Sequence, residues 1–167
     1  RGVAAAADEL DAPAGPLLVS PQAGIGRAPG TLGGRPVMGI CLGQQLFFRT
    51  SEEAPDAVGL GLLPGTVRRF RTDLPVPHVG WSSVRLTAAG AHHPVLAGLF
   101  QGGEQFFYHV HSYYPTGLPE QAVLGTGDYG GVSPTLVGRG SVIGAQFHPE
   151  RSSRAGQQLL ANFLALA

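Results

Sequence analysis

Apolar positions in this chain come in short blocks rather than long periodic runs. Pro36-Val37-Met38 reads as a buried strand, and Gln44-Gln45-Leu46-Phe47-Phe48 as the helix that follows it. Alternating, β-rich segments then predict strands over 66–70, 82–86, 106–110, 121–124, 134–137 and 142–147, each bounded by Gly, Pro or Asp. Near the end, Gly156, Leu159, Leu160, Phe163, Leu164 and Ala167 recur at helical spacing with one buried face, and Ser153 stands where an N-cap belongs. Within residues 1–35 only Leu17-Leu18-Val19 reads convincingly as a strand. Strand, turn and helix first, then a strand-rich half and a closing helix, predict a three-layer α/β domain spanning 1–167 around a mixed, largely parallel sheet. Its ligand crevice belongs at the carboxyl ends of the strands.

Composition narrows the classes. The 167 residues carry 11 basic and 11 acidic side chains, so no electrostatic footprint for nucleic acid is expected. No apolar run approaches the ~18–20 residues of a membrane span, and Ala4–Ala7 lacks the flanks of a signal peptide. One cysteine excludes an internal disulfide and suits a reducing cytoplasm. The 26 glycines and 14 prolines imply many loops, most densely in residues 1–35.

The chemistry concentrates in two places. Gly39-Ile40-Cys41-Leu42-Gly43 sets the single cysteine between two glycines at a strand-to-helix turn, the frame of a nucleophile elbow. The helix start beneath it is expected to favour the thiolate. Downstream, Phe147-His148-Pro149-Glu150 offers a base with a carboxylate two residues on. In a strand, positions i and i+2 share a face, so Glu150 can orient the His148 ring. Taken alone, each part has a plainer reading: a small buried cysteine, and a surface His–Glu pair. Together they make a thiol acyl-transfer set. His109 and His111 alternate in a strand, but no third ligand stands at fitting spacing, so neither a metal nor a cofactor is expected. His92-His93 before Pro94 reads as a loop.

These two motifs resemble the signatures of class I, triad-type glutamine amidotransferases. Val76-Pro77-His78-Val79-Gly80-Trp81 and Tyr108-His109-Val110-His111-Ser112-Tyr113-Tyr114 are similar to the glutaminase subunits of imidazole glycerol phosphate synthases, over roughly residues 36–167. The resemblance implies hydrolysis of glutamine to glutamate and ammonia, with ammonia passed to a (β/α)8-barrel synthase in a heterodimer of histidine biosynthesis. It implies that Cys41 attacks the amide carbon, His148 moves the proton, Glu150 orients His148, and the Leu42 N–H is one oxyanion donor. Gln45, Glu53, Ser112 and Tyr113 match substrate-holding positions. His78, Trp81 and Arg151 match positions facing the partner, with Trp81 in a loop. On their own, Glu53 and His78 read as exposed loop residues, Gln45 as an exposed helix residue and Trp81 as a core anchor.

The chain also departs from that family. No counterpart of its first strand, glycine-rich turn and helix is evident in residues 1–35. The nearest candidate for the loop carrying the second oxyanion donor is Ser20-Pro21-Gln22-Ala23-Gly24, with Gln22 and Ala23 where the family has Gly and Val. Ser82 stands where the family usually has asparagine. Two other readings follow: another triad amidotransferase, or a non-catalytic module that keeps the partner interface.

Overall fold

Val37 and Met38 are adjacent and both fully buried, yet they belong to opposite sides of one sheet. Val37 packs with Phe47, Phe48, Leu63, Val67 and Val137, and Met38 with Phe107, Ile143, Phe147, Leu159 and Phe163. A strand apolar at consecutive positions is one covered on both faces. The structure is a computed structural model that describes residues 17–19 and 35–166.

Among the described residues the main sheet has seven strands: β1 (Leu17–Val19), β2 (Val37–Ile40), β5 (His78–Leu86), β6 (Glu104–His111), β8 (Val123–Asp128), β9 (Val132–Arg139) and β10 (Val142–Ala145), in the order β1-β2-β10-β9-β8-β5-β6. The sheet is mixed, as expected. Parallel pairing joins β1 to β2 and β2 to β10, and every other neighbour pair is antiparallel. The antiparallel share exceeds the expectation for a direct reason. β9 and β10 are separated only by Gly140-Ser141, with Gly140 at φ 59, and so short a link can join only antiparallel strands.

One face is covered by α3 (Ser153–Leu164), which buries Gly156, Leu159 and Phe163 while Leu164 stays exposed. A Cβ at Gly156 would lie 1.8 Å from the Pro149 carbonyl oxygen, so the helix backbone presses directly on the turn that carries Glu150. The other face is covered by a sheet not anticipated from the sequence, β3 (Thr50–Ser51), β4 (Thr66–Arg69) and β7 (Tyr113–Thr116). The short α2 (Ala88–Ala91) sits between β5 and β6 in the chain, capped by Thr87 Oγ1 accepting from Gly90 N–H. No described helix is long and apolar enough to cross a membrane.

Several boundaries differ from expectation. The helix after the elbow is only α1 (Leu42–Gln45). Phe47 and Phe48 N–H groups instead donate to Gln44 and Gln45 carbonyls, an i→i−3 tightening that turns both rings into the second core. Residues 120–122 form a 3₁₀ turn, so β8 begins at Val123. Ser152, not Ser153, precedes α3, and Ser153 itself has φ 49. Ser152 is buried and serves other groups: its Oγ donates to the His148 carbonyl (2.6 Å) and accepts from Tyr108 N–H (2.9 Å). The expected loop at 20–24 and Ala167 lie outside the described residues.

Candidate active site

Cys41 follows β2 with φ 52 and ψ −110, a backbone conformation costly for any residue with a Cβ. Its N–H donates to the Ala145 carbonyl at 2.7 Å, which anchors the turn to the end of β10. A Cβ at Gly39 would sit 2.5 Å from the Gly43 carbonyl oxygen, so the glycine frame permits the helix to return this close to its strand. The expected elbow is therefore formed. The Leu42 N–H lies at the first turn of α1, where no intrahelical acceptor exists, and is directed at the Cys41 thiol.

The expected lowering of the thiol's pKa is not met. Burial pushes Cys41 above the ordinary cysteine range and the nearby Glu53 and Glu150 charges add to this, outweighing the Leu42 N–H and Gln146. A helix of four residues is too short to offset desolvation. The thiol donates to the Val110 carbonyl (3.7 Å) and accepts from Gln146 Nε2 (3.8 Å).

His148 Nδ1 meets Glu150 Oε1 at 2.7 Å. The pair does not share a strand as expected: β10 ends at Ala145, and Glu150 sits in a 3₁₀ turn over Pro149–Arg151 that His148 precedes. The turn still aims the carboxylate at the ring. His148 N–H donates to the Tyr108 carbonyl (2.9 Å), and with the Ser152 bonds this ties His148 to β6. Nδ1 faces Glu150, so the ring presents Nε2 on its opposite side.

Gln45 is buried rather than exposed, and its Nε2 donates to the Tyr113 carbonyl (3.4 Å) and to Gln146 Oε1 (3.3 Å). Ser112 and Tyr113 stand where β6 passes into β7, and their carbonyls accept from Phe70 N–H and from His111 and Gln45. Glu53 is exposed beyond β3, close enough for its charge to act on the thiol. Sequence reasoning missed Gln44 and Gln146. Both are fully buried, and Gln44 Nε2 donates to Gln146 Oε1 at 3.3 Å. The signal was a polar residue inside an otherwise apolar strand end, Ala145-Gln146-Phe147.

His78 corrects an expectation. It lies in β5, not a loop, and is buried, stacked on His109 and Tyr129 with Nε2 2.7 Å from Ser82 Oγ, so it cannot face a partner. Trp81 is also in β5 rather than a loop, and at 51% exposed it is no core anchor. It pairs across from Tyr108, over whose ring the exposed Arg151 guanidinium lies at 4.3 Å. Val79 and Phe106 share this outer face of β5–β6 and are also more than half exposed. The inner face of the same strands holds His109 and His111, whose pKa values burial and neighbouring imidazoles push down to about 2 and about 4. A separate cleft of about 410 Å³ near His93 and Arg139 includes none of the residues around Cys41.

A thiol on a strained strand-to-helix turn thus stands at the same end of the sheet as a His–Glu pair just beyond the adjacent parallel strand. The chain belongs to the class-I glutamine amidotransferase family, whose model matches residues 13–167. Within it the chain is 47% identical over 130 residues to the imidazole glycerol phosphate synthase subunit HisH of Bacillus cereus (strain B4264), covering 78% of this chain and 59% of that protein. It is 48% identical over 132 residues to the HisH subunit of Moorella thermoacetica, covering 78% of this chain and 60% of the relative. The chain thus spans about three fifths of the length of these relatives. Among solved structures, its fold is similar to a putative GMP synthase protein of Thermoplasma acidophilum (TM-score 0.57, 17% identity, 80% of this chain and 57% of that one). It is likewise similar to a glutamine amidotransferase (TM-score 0.55, 23% identity, 78% and 60%).

Proposed function

We propose that this chain is the glutaminase subunit of an imidazole glycerol phosphate synthase, working in the cytoplasm as a heterodimer with a (β/α)8-barrel synthase. Cys41 Sγ attacks the glutamine side-chain amide carbon while His148 Nε2 takes the thiol proton. The Leu42 N–H meets the oxyanion, and collapse expels ammonia, which leaves with the proton held by His148. Water then hydrolyses the thioester to glutamate, with His148 again as base. Glu150 holds the His148 tautomer and stabilises the imidazolium. Gln45, Glu53, Ser112 and Tyr113 hold the amino-acid end of the substrate. The 2.7 Å His148–Glu150 contact beside the Cys41 turn carries this reading.

The raised thiol pKa and its hydrogen bond to Val110 support a resting state of low intrinsic activity. Docking of the synthase on the exposed Trp81, Tyr108 and Arg151 face is then the activating event, through contacts made only in the active arrangement. A glutamine-like chloroketone should label Cys41, with protection by glutamine, and the synthase should raise both labelling and ammonia release. Trp81→Ala should weaken that stimulation. Synthase binding with neither labelling nor ammonia release would support the non-catalytic module instead.

A further inference from the structure

Three of the six histidines converge inside the protein, apart from the His148–Glu150 pair. His109 and His111 alternate on β6 and His78 lies directly opposite His111 on β5, so all three project to the inner face. One ring nitrogen from each lies within 4.8 Å of the others, and all three residues are buried. His109 Nδ1 is 3.2 Å from His111 Nε2, while His109 Nε2 is buried with no partner.

Hydrogen-bond chemistry restricts the tautomers. A carbonyl only accepts, so the 2.8 Å contact with Tyr113 O places the His111 proton on Nδ1 and leaves Nε2 as a bare lone pair. If His109 carries its proton on Nδ1, its Nε2 lone pair is buried and unpaired. If it carries the proton on Nε2, that N–H is buried without an acceptor and two lone pairs face each other at 3.2 Å. Either arrangement leaves the apo cluster with a deficit. In the second, the two facing nitrogens already stand at the ~3.3 Å edge that a tetrahedron with ~2.05 Å metal–nitrogen bonds requires. His78 supplies the third ligand that the spacing of His109 and His111 alone lacks, and Ser82 Oγ can orient its ring. Carboxylates, backbone carbonyls and waters are the usual outer partners of metal-bound imidazoles, and the Tyr113 carbonyl plays that part for His111.

We propose that His78, His109 and His111 bind one divalent transition metal ion of the zinc class, which clamps β5 to β6 beneath the thiol site. The placement gives the clamp a consequence. Val110, between two of the ligands, holds the Cys41 thiol through its carbonyl, and the Tyr113 carbonyl that fixes His111 also holds Gln45. The ion would fix both carbonyls without touching substrate.

The test is titration of the EDTA-treated chain with Co²⁺, read by visible ligand-field absorption, followed by displacement with Zn²⁺. One equivalent is expected to bind. His109→Phe, which preserves a ring beside Phe147, should weaken binding at least ~100-fold, and Ser82→Ala about 10-fold. Should His109→Phe fail to fold, ring ¹⁵N NMR of the unsubstituted chain decides the matter. One equivalent of Zn²⁺ should shift His78, His109 and His111 and leave His92, His93 and His148 unmoved. No 1:1 binding at millimolar metal, binding unchanged in a folded His109→Phe, or shifts confined to the other histidines would each overturn the proposal.

Discussion

Gln146 is fully buried, and its side-chain oxygen accepts from both Gln44 and Gln45 at 3.3 Å. Gln146→Met keeps the length of the side chain but removes that acceptor. Gln45 retains the Tyr113 carbonyl, whereas Gln44 is left with no partner, since its Oε1 already has none. A buried amide orphaned this way costs about 1–3 kcal/mol, only partly offset by the apolar thioether. Gln146→Met should therefore destabilise the chain by about 2 kcal/mol. Adding Gln44→Met removes the orphan and should recover more than half of that loss, because replacing both partners by apolar groups of matching shape is nearly neutral. Urea unfolding with unchanged m-values is the assay. Strictly additive losses in the double variant would refute the hydrogen-bond account and leave simple packing damage. The thiol supplies a second readout. Losing Gln146 Nε2 removes one of the groups that lower the Cys41 pKa, so alkylation at neutral pH should slow.

Three further outcomes follow from the geometry. The metal-free chain should lose stability as pH falls below about 6.5, where unfolded histidines take protons that His109 and His111 refuse until about 2 and about 4. The slope should approach ~3 kcal/mol per pH unit near pH ~5 and be roughly halved in His109→Phe; equal stability at pH ~7 and pH ~5 would contradict it. Gly39→Ala drives a Cβ into the Gly43 carbonyl and the Phe47 ring at 2.5 and 2.6 Å, so thermal unfolding should show a loss of about 1–3 kcal/mol or more, and an unchanged midpoint would mean the turn yields freely. Glu150→Gln should keep the fold and retain partial glutaminase activity with synthase, while Cys41→Ala and His148→Ala nearly abolish it; undiminished activity in Glu150→Gln would remove the orienting role.

What the sequence disclosed was local chemistry. The Gly39–Gly43 frame dictates a turn only glycines can enter, and the β-rich blocks locate most of the strands. The errors arise where tertiary packing overrules local pattern. Phe47 and Phe48 look helical by spacing but serve a core that only the second sheet creates, and β3 is too short for any period to show. His78 read as exposed because Pro77 and Gly80 beside it are residue types common in loops, yet its partners His109 and Tyr129 come from far along the chain. The pKa of Cys41 depended on burial, which no spacing reports.

The parallel register of β2 against β10, with Ile40 opposite Ala145, has an engineering consequence. Cys41 follows that rung by one residue and His148 by three, with Tyr108 and Ser152 holding the latter, so their separation is set by these local ties and not by the length of chain between them. Intervening loops are thus silent with respect to the chemistry. Gly102 and Gly103, for example, have open space for a side chain and sit between β5 and β6 in the chain. A polypeptide interrupted there, or lengthened by an inserted segment, should still bring Cys41 and His148 together, whereas a one-residue deletion just after Ala145 should misplace the base with every strand intact.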